Sequence, residues 1–273
     1  MKLLSGRELS GYIKERQAKQ VRGLRQAWHI VPKLAIIVTV DHPAINVYLR
    51  KKERYGADIG IEVAVYRVSQ TDALGTIEAL NKDDTVHGII VQLPLENPAE
   101  TEEVVNLVAP EKDVDALGKK AVFDPATPMA ILWLLAGYNI DLQGKRVVLV
   151  GRGRLVGGPL ERELQTSGID VESVDRDTNN IASTLLDADV IISAAGSPGV
   201  LTSSMIKPGA VVVDAGVAGE QGKVSGDLDP SVYEERDDLI VTPRKGGVGP
   251  LTVCALFENV IRAARLGQPE AQS

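Results

Sequence analysis

Residues 34–40 read Leu-Ala-Ile-Ile-Val-Thr-Val, apolar and β-branched almost without a break. A strand with one wet face alternates apolar and polar residues, so a run like this has both faces covered. Helices above and below a parallel sheet supply that cover through crossover connections. Related strand signals recur at residues 61–68, 88–93, 146–150, 171–174, 190–194, 210–215 and 239–241. Helical segments lie between them. Residues 6–27 follow Ser5 and Glu8, spaced as a capping box. A helix opens at Asp41, Pro43 and Ala44 and is expected to stop at Gly56. Others span 71–80, 98–108 behind an Asn97 cap, 127–137, 156–167, 181–186 and 251–266. Gly267 and Pro269 are expected to end the last one, with a frayed tail from Gln268 to Ser273.

There are two such series, separated by a charged, glycine-containing loop at residues 111–120. The expected fold is therefore α/β with two domains, residues 1–119 and 120–273, and a cleft between them. The terminal helix is expected to pack back on the first domain. With 273 residues, 44% of them hydrophobic, the chain can fill two cores. The single cysteine, Cys254, excludes an intramolecular disulfide and a cysteine metal cluster. His29, His42 and His87 lack metal-ligand spacing, so no metal is expected. A net charge of −7 argues against nucleic acid or an anionic membrane as partner. No apolar run reaches a membrane span, and Met1 to Leu4 is too short for a signal core, so the expected location is cytoplasmic.

The strand at 146–150 runs into Gly151, Gly153 and Gly157, and a helix follows. Glycines there let the backbone turn tightly and approach a pyrophosphate seated on the helix N-terminus. This marks the second domain as a Rossmann-like, doubly wound dinucleotide-binding domain, although a tight structural turn has the same pattern. Asp175 ends the next strand, where a carboxylate binds ribose hydroxyls and repels a 2′-phosphate. Arg152, Arg154 and Arg176 stand close in sequence and suit that phosphate, or are simply solvated surface charges. Tyr48 and Lys52 share a helix face beginning at the carboxyl edge of the first sheet. Gln92 closes a strand at the same edge, and its amide can orient a lysine. Taken alone, the pair and the glutamine read better as surface residues than as a site. Asp113 and Asp115 sit in the interdomain loop, where aspartates often form turns. Residues 246–252, Gly-Gly-Val-Gly-Pro-Leu-Thr, suit either close approach to a flat ligand or a flexible turn.

Taken in order, these segments resemble the methylenetetrahydrofolate dehydrogenase/methenyltetrahydrofolate cyclohydrolase family. The resemblance rests on Asp41 to Ala44 with Tyr48 and Lys52, residues 88–95, 112–115 and 125–128, the loop from Gly151 to Pro159, and Gly246 to Thr252. It implies a folate-site first domain and two linked reactions. A hydride leaves 5,10-methylenetetrahydrofolate for NAD(P), and the methenyl product is hydrolysed to 10-formyltetrahydrofolate. By that resemblance Lys52 transfers protons, Gln92 tunes it, Tyr48 packs beside the folate and Asp115 anchors the pterin. Gly249, Pro250 and Thr252 line the folate slot. Gly151, Arg152, Gly153, Val156, Gly157, Asp175, Arg176 and Gly196 bind the cofactor. The family also implies a homodimer.

The chain departs from the family pattern at several positions. Ala116 stands where glycine is usual, Ala126 for cysteine, Gly153 for serine, Asp175 for histidine, Lys245 for proline and Ile45 for serine. Gly153 and Asp175 fall on the cofactor side. Two arginines against one aspartate favour NADP narrowly, with NAD not excluded. The rival readings are a monofunctional NAD-dependent dehydrogenase, which the presence of Lys52 opposes, and a folate- or nucleotide-binding protein without catalysis.

Overall fold

The computed structural model describes residues 1–220 and 223–266. Its elements begin with β1 (Lys2–Leu3), α1 (Gly6–Trp28), β2 (Lys33–Val38), α2 (Pro43–Ile59), β3 (Glu62–Arg67), α3 (Gln70–Lys82) and β4 (Gly88–Gln92). Next come α4 (Thr101–Val105), α5 (Ala126–Gly137), β5 (Val147–Val150), α6 (Gly157–Thr166), β6 (Val171–Val174), α7 (Ile181–Leu186) and β7 (Val190–Ser193). The last are β8 (Val211–Asp214), β9 (Ala218–Glu220), β10 (Lys223–Ser225), α8 (Pro230–Glu235), β11 (Ile240–Val241) and α9 (Val248–Arg265).

The chain divides into two compact units. One comprises Met1–Gly11 and Thr127–Thr252, the other Tyr12–Ala126 and Val253–Ser273. The sequence places a boundary after residue 119 with the terminal helix returning to the first domain; the two compact units divide within α1 and α9.

The second of these units is built on a parallel sheet ordered β3-β2-β4. As its unbroken apolar run requires, β2 is covered on both faces: Leu34, Ala35, Ile36 and Ile37 are fully buried. Ala35, Ile37, Ile89 and Val91 pack with Ala73, Ile77 and Leu80 of α3. Each such Ile or Leu contributes about 1.5–3 kcal/mol by leaving water. The other unit holds six strands ordered β1-β11-β8-β7-β5-β6, all parallel, with a β9–β10 hairpin beside them. Val148, Val150, Ile191 and Val212 anchor one core with Leu185, Leu228 and Val232.

Several expectations are corrected. Gly56 does not stop its helix, because α2 continues to Ile59. The stop is a Schellman turn: Gly60 takes φ +85°, and the N–H groups of Gly60 and Ile61 donate to the carbonyls of Ala57 and Gly56. The expected helix 98–108 is a 3-10 turn, Pro98–Glu100, followed by the short α4, with Asn97 capping as expected. The final helix starts at Val248, which puts Gly249 and Pro250 in its first turn and Thr252 at the start of its second. The capping box is half formed: Ser5 Oγ accepts from Glu8 N–H, while Ser5 N–H donates to Tyr138 Oη. The strands β1, β9 and β10 and helix α8 were not anticipated. The expected helix stop at Gly267 and Pro269, and the frayed tail, lie outside the described residues. No described helix is long and apolar enough to cross a membrane.

Gly56 is required by packing. A Cβ there would lie 2.5 Å from Val63 Cγ2 and 3.0 Å from Ile61 O. Gly56→Ala is expected to lower stability by about 1–3 kcal/mol through overpacking. Gly75→Ala in α3 meets nothing within 4 Å, and should stabilise by about 0.5–1 kcal/mol through helix propensity. Urea unfolding midpoints of the two variants should move in opposite directions.

Candidate active site

In a parallel sheet the loops that follow the strands emerge at one edge, and here they bring the polar residues together. Val38, the last residue of β2, pairs with Gln92, the last of β4. Helix α2 leaves the same edge, carrying Lys52 on its third turn. Lys52 Nζ donates to Gln92 Oε1 at 3.0 Å, and Gln92 Nε2 donates to Leu93 O at 3.0 Å. The second bond fixes the amide so that its oxygen faces the lysine. The lysine is half-buried, and loss of hydration pushes its pKa below the ordinary range. The charge of Asp115 opposes that shift. Asp115 is itself pushed up by burial, against the pull of Lys52. Tyr48 lies one turn before Lys52 on α2, 36% exposed, with Lys51 Nζ over its ring at 5.4 Å.

Asp115 sits in an ordered loop. Ile89 N–H donates to Lys112 O at 2.7 Å, so the loop runs as a parallel bridge beside β4. Lys112 Nζ caps α3, donating to the carbonyls of Leu80, Asn81 and Asp83. Asp113 is almost fully buried, and its carboxylate accepts from the N–H groups of Leu117 and Gly118. Asn259 of α9 donates to Val114 O and Asp124 O. Of the two aspartates, Asp113 is therefore the turn former, and Asp115 is left facing Lys52. Sequence reasoning missed Lys112 and Asn259, because both act on backbone carbonyls distant in sequence.

The six-stranded unit has the second candidate site. β5 lies between β6 and β7, so the chain reverses direction across the sheet at β5. That switch point is where doubly wound sheets bind ligands. Gly151 takes φ +97°, and a Cβ there would lie 2.7 Å from Ala194 O. A Cβ on Gly157 would lie 2.0 Å from Gly151 O. Side chains are thus excluded at Gly151 and Gly157. Helix α6 begins after Val156 with no side-chain cap, leaving its N-terminal dipole for an anion. These features fit a dinucleotide pyrophosphate. Gly153 has open space around it, so its missing side chain leaves room unused.

Arg152 Nη2 donates to Ser173 O at 2.7 Å, and its Nη1 lies 3.9 Å from Asp175 Oδ2. The other oxygen of Asp175 accepts from Asp177 N–H and Thr178 Oγ1, which makes Asp175 the head of a turn. Arg176 is exposed and makes no ion pair among the described residues. Gly196 follows β7 with φ +65°. Gly249, Pro250 and Thr252 belong to this unit too, and Thr252 Oγ1 donates to Val248 O at 3.5 Å. Sequence reasoning passed over two carboxylates here, Asp214 and the fully buried Asp227. The available signals were an aspartate ending a buried strand and a Gly226-Asp227 pair. Among the described residues no cluster of side chains could hold a metal ion.

Comparison with known proteins gives two family matches. Residues 4–115 match the catalytic domain of tetrahydrofolate dehydrogenase/cyclohydrolase, and residues 125–268 match its NAD(P)-binding domain. The chain is 37% identical over 284 residues to the bifunctional protein FolD of Nitrosomonas eutropha, covering 99% of this chain and 96% of that one. The crystal structure of FolD from Campylobacter jejuni, a methylenetetrahydrofolate dehydrogenase/cyclohydrolase, superposes with a TM-score of 0.90 at 35% identity, covering 97% and 99% of the two chains. The Trypanosoma brucei enzyme, complexed with NADP and an inhibitor, gives 0.89 at 28% identity, covering 96% and 97%.

Ala116 follows Asp115 with φ +55°, a left-handed conformation that a Cβ disfavours by about 1–2 kcal/mol. Ala116→Gly relieves that strain, offset by about 0.4–1 kcal/mol of added unfolded-state entropy. A net gain of up to about 1.5 kcal/mol in urea unfolding is expected; a loss of stability would show that the alanine methyl packs favourably.

Proposed function

The chain belongs to the tetrahydrofolate dehydrogenase/cyclohydrolase family, and on that premise we propose that Lys52, Gln92 and Asp115 form its folate site. The protein oxidises 5,10-methylenetetrahydrofolate to the methenyl form and hydrolyses that to 10-formyltetrahydrofolate. The observation carrying this reading is the 3.0 Å bond from Lys52 Nζ to the neutral amide oxygen of Gln92. A bound NAD(P), held at the Gly151–Gly157 turn and the α6 N-terminus, would supply the hydride acceptor. Lys52, as the free amine, takes a proton from the water that adds to the methenyl carbon. As the ammonium, it returns that proton to the ring nitrogen when the carbon–nitrogen bond opens, while the carbinol hydroxyl releases its proton to solvent as the formyl C=O forms. Gln92 holds Nζ on line through both states. Asp115 accepts from the pterin amino and ring N–H groups, a pairing suited to a carboxylate. Tyr48, one turn away, packs against the folate.

Lys52→Met should reduce cyclohydrolase turnover by about 10²–10⁴-fold, the usual range for a positioned acid/base group. In the wild type, hydrolysis should be lost as pH falls through the depressed pKa of Lys52, because the ammonium cannot take the proton. Asp115→Asn removes the anion that favours the ammonium. It should therefore move this acid limb to lower pH, while raising the folate KM. An unmoved limb in the Asn variant would sink the pairing.

The cofactor is read as NADP, with weak discrimination against NAD. Arg152 and Arg176 stand against one carboxylate, and Asp175 is partly engaged by its own turn and by Arg152. Asp175→Ser should shift preference toward NADP by about ten-fold, or about 1.4 kcal/mol. Arg176→Ala should shift it back. The measurement is kcat/KM with both cofactors; wild-type turnover with NAD alone, harmed by Asp175→Ser, would make Asp175 a ribose ligand instead.

A further inference from the structure

Asp227 is fully buried, yet it belongs to neither the glycine loop nor the lysine site. Its Oδ2 accepts from Ser193 Oγ at 2.6 Å and Ala195 N–H at 2.8 Å, and its Oδ1 accepts from Ser197 N–H at 2.7 Å. Three donors from the end of β7 and the loop after it therefore converge on one carboxylate. That loop carries Ala194, whose carbonyl lies against Gly151. It forms the β7 side of the crevice at the switch point.

Asp227 is itself held. Asp214, at the end of β8, accepts from the N–H groups of Gly216, Asp227 and Leu228. Two glycines make room: a Cβ on Gly216 would lie 2.1 Å from Asp227 Cγ, and one on Gly226 would lie 2.1 Å from Asp214 Oδ2. Two interlocked Gly–Asp pairs thus connect the ends of β7 and β8 to residues 226–228. Burying a carboxylate without three good donors would be costly, so the arrangement specifies one loop conformation.

We propose that Asp227 is a positioning residue for the dinucleotide, fixing the Ala194–Ser197 loop as the β7 wall of its crevice. The inference rests on the reading of the six-stranded unit as the cofactor site. In Asp227→Asn the amide presents a donor on one side, so at least one backbone N–H loses its acceptor. The loop then has no single preferred conformation.

The test is calorimetric titration of the full-length protein with NADP, paired with cyclohydrolase turnover, a reaction that transfers no hydride. Asp227→Asn should weaken NADP binding at least about ten-fold, in line with one unsatisfied buried donor. Methenyltetrahydrofolate hydrolysis should stay within about two-fold. Ser193→Ala, which removes one hydroxyl donor, should weaken NADP binding by about three-fold and serves if the Asn variant fails to fold. Unchanged NADP affinity in both variants would overturn the proposal. So would a fall in hydrolysis parallel to the fall in affinity, which marks general destabilisation. Wild-type protein that binds NADP without oxidising methylenetetrahydrofolate would sink the functional reading and leave the Asp227 test intact.

Discussion

A parallel strand covered on both faces has no wet side on which to carry chemistry. Its polar residues can act only where the strand ends. β2 and β5 are such strands, each flanked by parallel neighbours with helices as cover. The strand-end groups of both candidate sites follow from that constraint. Gln92 closes β4, Gly151 follows β5, Asp175 follows β6, and Ser193 closes β7. Chain segments far apart in sequence meet because register aligns their ends: Val38 pairs with Gln92, and Val150 pairs with both Val174 and Ser193.

The same constraint explains what could be read from the sequence. Buried strands announce themselves by composition, so the strand series and the α/β class were legible without coordinates. Gly151 and Gly157 were legible because a glycine turn between a strand and a helix is a local pattern. Shorter or differently partnered elements were not. β1 has two residues, too few for any period, and exists only by pairing with β11. Gly56 has the same local signature as a helix stop, but its role depends on Val63 and Phe257. The stop instead falls at Gly60, where φ is positive.

The candidate sites divide along the same line. Tyr48 and Lys52 were visible as a pair on one helix face, but the 3.0 Å contact with Gln92 spans 40 residues. Only the sheet register creates it. By local pattern alone Asp113 and Asp115 are both turn formers, and their neighbours separate them: backbone N–H groups claim Asp113, whereas Asp115 interacts with Lys52. For Asp227 the only local signal was the Gly226-Asp227 pair, and its partner Ser193 is 34 residues earlier.

The identity of residue 92 then becomes a matter of charge. A glutamate at that position would face Lys52 at hydrogen-bond distance in a partly dry site, and its charge would hold the lysine as ammonium. The free amine would be scarce near neutral pH, and the lysine could not accept a proton. A glutamine gives the same directional bond without the charge, so burial can continue to depress the lysine. Asp115 supplies the opposing charge, without a direct bond to Nζ among the described contacts. One neutral partner fixes where the amine points, and one charged partner limits how far its pKa falls. Those are separate requirements for a group that must both take and return a proton.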